Sequence, residues 1–201
     1  MTDAAPAAPI AAAELLPAYR AAATEREALR VPPLPLSAPQ AQALTELLAS
    51  PPAGEEAFLL ELLSDRIPPG VDEAAYVKAS WLTAVAQGTA VSQLVSPLEA
   101  TGLLATMIGG YNVGALIGLL ASPDAAVAAA AVAGLSRTVL VYDAFHDVIE
   151  LAETNSYAKR VVDSWAAGEW FTAKPELPAE ITVTVFKVEG ETNTDDLSPA
   201  T

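Results

Sequence analysis

Apolar side chains recur at three- and four-residue spacing along most of the chain, which is the pattern of amphipathic helices. Helix-forming composition predicts a first helix over 11–30, and Ser37 is the predicted N-cap of a second helix that ends at Ala49. Apolar stripes predict further helices around 55–65 and 72–87, the latter ended by Gly88. The pattern therefore predicts helices of about 10 to 16 residues, an ordinary length for a globular domain.

Proline-rich breaks separate these helices. The segments 96–99 and 122–124 both start with Ser-Pro, which predicts a serine N-cap with proline at the first helical position. Doubled prolines begin at Pro32, Pro51 and Pro68, as in a series of helical hairpins. Two mainly α architectures agree with this pattern, a solenoid of stacked helix pairs and a non-repetitive helical bundle.

The pattern changes near residue 172. After a Pro-containing stretch, residues 180–188 alternate and are rich in β-branched side chains, which predicts a β-strand. A single strand has no partner within a helical domain. We therefore expect it to open a second domain.

Composition and charge narrow the functional classes. The 201 residues contain 10 Lys plus Arg and 25 Asp plus Glu, so the net charge is -15, which opposes general binding to phosphate backbones. Without cysteine the chain forms no disulfide and no thiolate metal site. The apolar stretch 113–142 is interrupted twice and is too short to span a membrane, and the N-terminus does not resemble a secretory signal. The expected location is cytoplasmic.

Two groups of residues suggest local roles. Asp143, His146 and Asp147 share one face of a predicted helix, either as a metal site or, as we favour, as an ordinary polar surface. Gly110 and Gly114, followed by Gly118, have the small-xxx-small spacing that permits close helix packing. No strand precedes these glycines and no lysine follows them, so they are not a phosphate-binding loop.

An aromatic group and a polar loop lie toward the C-terminal end. Trp165, Trp170 and Phe171 are expected to seal a core edge or a domain interface. Residues 190–200 form a turn-rich loop directly after the predicted strand, either as a ligand-binding loop or as a solvated turn. No catalytic triad is present in the sequence pattern.

Three segments together resemble the N-terminal end of the aconitase B family, the bifunctional aconitate hydratase 2 and 2-methylisocitrate dehydratases. These segments are PPAGEEAFLLELLSDRIPPGVDEAAYVKASWLTAVAQG at 51–88, MIGGYNVGALIGLL at 107–120, and SWAAGEWF with ITVTVFKVEGETNTDDLSPA within 164–200. They occur in the family's order and cover most of the chain after residue 36.

The resemblance implies a division of the chain into four parts. Residues 1–11 are then a flexible Ala/Pro-rich N-terminus, and 12–170 a HEAT-like helical-repeat domain, an α-solenoid. Residues 171–179 are a linker, and 180–201 are the first β-strand and loop of an α/β swivel domain. By this resemblance, the chain is the N-terminal segment of a larger aconitate hydratase.

The resemblance also implies where the chemistry lies. Thr194-Asp195-Asp196-Leu197-Ser198 matches the superfamily motif Thr-Asp-x-(Ile/Leu)-Ser, so Asp195 and Ser198 are expected to line the active site of the full-length enzyme. The parent enzyme would interconvert citrate and isocitrate through cis-aconitate, and the resemblance also implies that it would dehydrate 2-methylisocitrate. Its [4Fe-4S] cluster would have all ligands outside this chain, and no catalytic or metal-binding residue is expected within it.

The expected partners follow from the same resemblance. The helical domain is expected to make protein–protein contacts, including those of a homodimer, with weak RNA binding, no DNA binding and no membrane contact. A free-standing helical adaptor, which binds protein through a concave groove, is the alternative function.

Overall fold

The computed structural model describes residues 10–138, 141–173, 176–185, 187 and 190. Within these residues the fold is helical. The helices are α1 Ala12–Ala28, α2 Ala38–Ala49, α3 Glu56–Asp65, α4 Glu73–Ala86, α5 Pro97–Leu104, α6 Val113–Leu119, α7 Ala125–Arg137, α8 Ala144–Ala152, α9 Ser156–Ala166 and α10 Glu169–Thr172. The predicted mainly α class is confirmed.

Local sequence sets the ends of several helices as predicted. Ser37 precedes α2, and its amide donates to the Gln40 side chain at 2.9 Å. Ser96 caps α5 in a reciprocal box, because its hydroxyl accepts from the Glu99 amide at 3.2 Å and its own amide donates to the Glu99 carboxylate at 2.8 Å. Gly88 follows α4 with a φ of 74°, a left-handed conformation that glycine adopts without strain.

The start of α7 differs from the prediction. Asp124, and not Ser122, is the N-cap, and its carboxylate accepts from the amides of Ala126 and Val127 at 2.8 and 3.4 Å. The Ser-Pro-Asp sequence offers two capping side chains. The carboxylate occupies the cap because it stands two and three residues before the free amides, which also favour its negative charge.

Each helix packs mainly on helices one or two places away in the chain. The largest contacts join α4 to α5, α8 to α9, α2 to α4, α7 to α9 and α5 to α7, while α1 packs on α2. One apolar core runs through this row, from Leu15 in α1 to Val161 in α9. Its largest fully buried apolar side chains are leucines, each of which contributes about 2 kcal/mol of burial free energy. These leucines are Leu15, Leu44, Leu48, Leu59, Leu62, Leu63, Leu82, Leu104, Leu116, Leu120 and Leu135.

The segment after α10 has a different character. Residues 176–185 form neither helix nor hydrogen-bonded strand, and apolar side chains such as Leu177 and Val185 are 88% and 82% exposed. The strand expected over 180–188 therefore has no ladder in its described part. A strand forms only against a partner, and the described residues provide none.

No helix in the described ranges is both long enough and apolar enough to span a bilayer. The expected flexible segment 1–11 lies mostly outside the described residues, and the chain becomes helical at Ala12.

Candidate functional site

The two residues expected to line an active site, Asp195 and Ser198, lie outside the described residues. The candidate metal group is described. Asp143, His146 and Asp147 at the start of α8 are exposed, and the His146 ring makes an edge contact with Phe145 at 5.7 Å. In the described ranges no three His, Cys, Asp or Glu side chains lie close enough to hold a metal ion together. Helical spacing alone therefore does not assemble a site here.

The glycine turn, residues 108–112 between α5 and α6, is hydrogen-bonded to a segment distant in sequence. The amides of Ile108 and Gly109 both donate to the Pro69 carbonyl, at 2.9 and 3.2 Å. The Tyr111 hydroxyl donates to the carbonyl of Val71 at 2.8 Å. These bonds hold the glycine turn against the loop that precedes α4, which is 40 residues earlier for the Tyr111 bond.

Glycine is required at one position of this turn by close backbone approach. A Cβ atom on Gly109 would lie 1.9 Å from the carbonyl oxygen of Gly70, much closer than any real contact. Gly110 has a φ of 91°, so it adopts a conformation that other residues rarely accept.

The expected helix-packing role of the glycine spacing is wrong for Gly114 and Gly118. Both are exposed on α6, and a Cβ atom on either would meet nothing within 4 Å. Helix α6 instead buries Val113, Leu116 and Leu119. The close helix approach is at Gly134 in α7, where a Cβ atom would lie 2.8 Å from the side chain of Ala105. The four-residue spacing does not indicate which helix face is buried, so it could not identify the glycine at the close helix contact.

Asn112 completes the turn and was not singled out from the sequence. Its side chain is fully buried, and its Nδ2 atom donates to the carbonyls of Leu104 and Met107 at 2.8 and 3.0 Å. These carbonyls belong to the end of α5 and the residues after it, which lack helical partners. Its Oδ1 atom is buried without a hydrogen-bond partner among the described residues. The Gly-Gly-Tyr-Asn sequence at 109–112 is the sequence feature from which this hydrogen-bonded turn could have been predicted.

A polar cavity of about 340 Å³ lies beside the glycine turn, between α4 and α6. One wall of this cavity is formed by the edge-to-face pair of Tyr76 and Tyr111, whose ring centroids are 5.4 Å apart. Ser80, Thr83 and Gln87 add hydroxyl and amide groups. The lining contains no carboxylate, imidazole or ammonium group. It therefore provides hydrogen bonds but no general acid or base that works near neutral pH.

A cavity of about 930 Å³ lies where α2 and α4 begin. Its walls are mostly apolar, with Leu36 and three prolines, and the acidic residues that line it are Glu46, Asp72 and Glu73. No histidine or basic side chain of the described residues lines this cavity, so these residues present no acid–base pair there.

Lys78 is the one described charged side chain that is almost fully buried, at 2% exposure. Its Nζ atom has a long bond of 3.4 Å to the carbonyl of Ser64. Burial lowers the pKa of Lys78, and the charge of Asp65 opposes this shift in part. Lys78 lines none of the cavities described here, so its role is internal to the fold.

The aromatic group at the end of the helical part is divided in the structure. Trp165 is half-buried, donates from its indole to the Leu135 carbonyl at 3.0 Å and stacks on Phe145 at 5.7 Å. Trp165 thus seals a core edge, as predicted. Trp170 and Phe171 make an edge contact with each other at 5.7 Å and remain 47% and 62% exposed, so neither is buried in the core.

Comparison with known protein families identifies the family of this chain. Residues 18–171, which extend from α1 to α10, match the family model of the aconitate B N-terminal domain. The chain belongs to the aconitase B family. Its relatives include the proteins named Aconitate hydratase B of Synechocystis sp., Pseudomonas aeruginosa and Escherichia coli, which are 59%, 57% and 56% identical to it.

Each of these aconitase B alignments covers 92% of this chain but only 21% of the relative, so the chain spans about a fifth of their length. The helical part described here is therefore the N-terminal domain of an aconitase B. The glycine turn lies inside the family match, whereas Asp195 and Ser198 lie after its last residue.

Proposed function

We propose that this chain is the N-terminal part of an aconitate hydratase that interconverts citrate and isocitrate through cis-aconitate. The observation that carries this proposal is the identity of 56–59% over 92% of the chain to relatives named Aconitate hydratase B. Dehydration of 2-methylisocitrate is a second reaction of the same parent enzyme. Family membership favours this function over a free-standing helical adaptor.

Within that enzyme, residues 12–170 act as a HEAT-like helical domain, 171–179 as a linker and 180–201 as the start of the swivel domain. The row of helices that pack on their neighbours supports a repeat-like domain. The end of α10 at Thr172 and the exposure of residues 176–185 support a linker there.

The helical domain serves contact and access rather than chemistry. The [4Fe-4S] cluster expected in the parent enzyme requires ligands such as cysteine thiolates, and the 201 residues contain no cysteine. The residues of this chain therefore do not fit the cluster, and its ligands lie outside the chain. A hydration assay of the 201-residue chain with cis-aconitate should show no turnover, and measurable turnover would contradict this assignment.

The contacts of the helical domain are proposed to be with protein, including a second copy in a homodimer, in the cytoplasm. The net charge of -15 supports weak RNA binding at most and no DNA binding. Sedimentation of the full-length enzyme tests the dimer. Nanomolar affinity for RNA at physiological salt would contradict the expected weak binding.

Asp195 and Ser198 are proposed to line the substrate site of the full-length enzyme. A carboxylate next to a tricarboxylate substrate repels it, so Asp195 is expected to hold a cationic side chain that binds the substrate. The Ser198 hydroxyl is able to donate a hydrogen bond to a substrate carboxylate. The motif match at residues 194–198 supports both roles.

The test is steady-state kinetics of Asp195→Asn and Ser198→Ala in the full-length enzyme, with both citrate and 2-methylisocitrate. Each change should lower kcat/KM by about tenfold or more, the usual effect of the loss of one charged hydrogen bond. Thr192→Ala, in the same loop but outside the motif, is the control and should keep the parent value. Wild-type kcat/KM in both motif variants would contradict the proposal.

A further inference from the structure

A third cavity lies at the C-terminal end of the helical domain, and none of the roles proposed above uses it. It has a volume of about 680 Å³ and is formed by the end of α7, the middle of α9 and α10. We call it the α7–α9 cleft, and the residues that give it its chemistry are Ser136, Arg137, Arg160, Ser164, Glu169 and Trp170.

The charge of this cleft is opposite to that of the chain. The whole chain carries a net charge of -15, yet two guanidinium groups, Arg137 and Arg160, line the cleft together with one carboxylate of the described residues, Glu169. An adjoining cavity adds the carboxylate of Asp163, which is paired with Lys159. Because α7 and α9 pack directly on each other, residues 23 positions apart in sequence contribute cations to one cavity.

Both guanidinium groups remain available to a ligand. The ion pairs of the described residues use Arg20, Arg66 and Lys159 as cations, and neither cleft arginine takes part in one. Both arginines are exposed, and the Arg160 guanidinium lies 5.8 Å from the ring of Tyr157.

Glu169 forms no ion pair with either arginine among the described residues, and its one negative charge offsets only one of the two guanidinium charges. Its carboxylate accepts a hydrogen bond from the Ser164 hydroxyl at 2.6 Å, and Ser164 is only 6% exposed. This bond fixes the carboxylate on the α9 side of the cleft. The Trp170 indole provides an apolar surface beside it, and Ser136 adds a hydroxyl group.

The size and chemistry of the cleft indicate a small ligand. Small-molecule sites commonly have volumes of about 300–1,000 Å³, and this cleft lies within that range. A guanidinium group binds carboxylate and phosphate through two parallel hydrogen bonds, which a point charge does not. Two such groups in one cavity suit a ligand with at least two negatively charged oxygens on one small framework.

We propose that the α7–α9 cleft binds a small polyanion, either a dicarboxylate or a phosphate, with Arg137 and Arg160 as its principal partners. Trp170 lies against the bound anion, and Ser136 lies at its edge. This site belongs to the helical domain itself, so it does not depend on the proposed substrate roles of Asp195 and Ser198.

Isothermal titration calorimetry of the 201-residue chain tests the proposal, with malonate and inorganic phosphate as probes at constant ionic strength. At least one probe should bind with saturation. Saturation by malonate alone identifies a carboxylate site, saturation by phosphate alone identifies a phosphate site, and saturation by both identifies a general polyanion site. The absence of saturation with both probes would overturn the proposal.

Arg137→Gln and Arg160→Gln should each weaken binding by about tenfold, the effect of the loss of one charge-assisted pair. Arg160→Lys keeps the charge but loses the two-bond geometry, so its affinity should lie between wild type and Arg160→Gln. Arg30→Gln is the matched control, because Arg30 is exposed after α1 and far from the cleft in the row of helices. Equal weakening in the control, or unchanged binding in both cleft variants, would overturn the proposal. Thermal melts establish that the variants are folded.

Discussion

Gly109 and Gly118 lie nine positions apart, yet an added methyl group has opposite consequences at the two sites. At Gly109 a Cβ atom would lie 1.9 Å from a backbone oxygen of Gly70, whereas at Gly118 it would meet nothing within 4 Å. Gly109→Ala should therefore lower the free energy of unfolding by about 2 kcal/mol or more, as overpacking does. Gly118→Ala should raise it by up to about 1 kcal/mol, because alanine favours the helix.

Urea denaturation of the two variants measures both changes. Equal effects at the two sites would contradict the close approach at Gly109. A loss of stability in Gly118→Ala would contradict the solvent-facing position of that residue on α6.

Because of Lys78, the free energy of unfolding should depend on pH in the alkaline range. Burial lowers the pKa of Lys78 below its usual value of 10.5, so in the pH range below that value the unfolded chain binds the proton more readily than the folded chain. The contribution of Lys78 to stability should therefore increase as pH rises from 7 toward 10.5. Lys78→Met should remove this increase and raise the free energy of unfolding by about 1 kcal/mol at pH 7, since it removes a buried charge without an ion pair.

Chemical denaturation of wild type and Lys78→Met across that pH range checks the expectation. Lys159→Met is the control, because Lys159 is exposed and bonded to Asp163. A stability difference between wild type and Lys78→Met that is constant with pH would show that the lysine is not desolvated.

Residue-scale features were predictable only where the signal is local. Ser37 and Ser96 were predicted because a cap depends on residues within one helical turn. The burial of Lys78 and the role of Asn112 were not predicted, because both depend on which segments meet across the fold. The spacing of glycines in α6 does not show which segments of the chain that helix contacts.

At the scale of the element, the start of α7 provides a direct test of competing caps. Asp124→Ala should lower the free energy of unfolding by about 1 kcal/mol, because two amides at the start of α7 lose their acceptor. Ser122→Ala should lower it by less, about 0.5 kcal/mol, because the Ser122 hydroxyl accepts one long bond, from the Asp124 amide at 3.2 Å. Thermal or urea denaturation of both variants provides the comparison. A larger loss of stability in Ser122→Ala than in Asp124→Ala would show that the serine is the N-cap.

Helices were predictable as elements because apolar side chains at helical spacing must share one buried face. Their boundaries shifted where the sequence offers two stop or start signals, as at Ser122 and Asp124. The strand over 180–188 is a different case. Its composition favours β structure, but strand formation depends on hydrogen bonds with another segment, which no local pattern provides.

For the whole molecule, the core should be complete without the segment that follows α10. Residues 176–185 are exposed, whereas Val161 and Ala158 in α9 are fully buried. Truncation after Ala173 should therefore leave one cooperative thermal transition, with a midpoint within about 4 °C of the parent chain. Truncation after Ala152 removes α9, which packs on α7 and α8, and should lower the midpoint much more than the first truncation does. Loss of cooperativity in the first truncation would show that the C-terminal segment belongs to the core.

The architecture as a whole was only partly predictable. The periodicity predicted a mainly helical molecule but did not separate a solenoid from a bundle, because both need the same apolar stripes. The family was identified from specific segments such as 51–88 and 107–120, and the match over 18–171 confirms it. The α7–α9 cleft was not predicted, since Arg137 and Arg160 are ordinary surface residues until α7 and α9 pack together.

The packing of each helix on its neighbours also affects how the polypeptide acquires its structure during synthesis on the ribosome. The contacts of α1 with α2, of α2 with α3 and of α2 with α4 all lie within the first 86 residues. These helices are able to assemble while the later ones are still being translated, because no distant segment is needed to complete their mutual contacts. Each newly emerged helix then adds to an existing surface, which shortens the time for which bare leucine faces are exposed to other nascent chains.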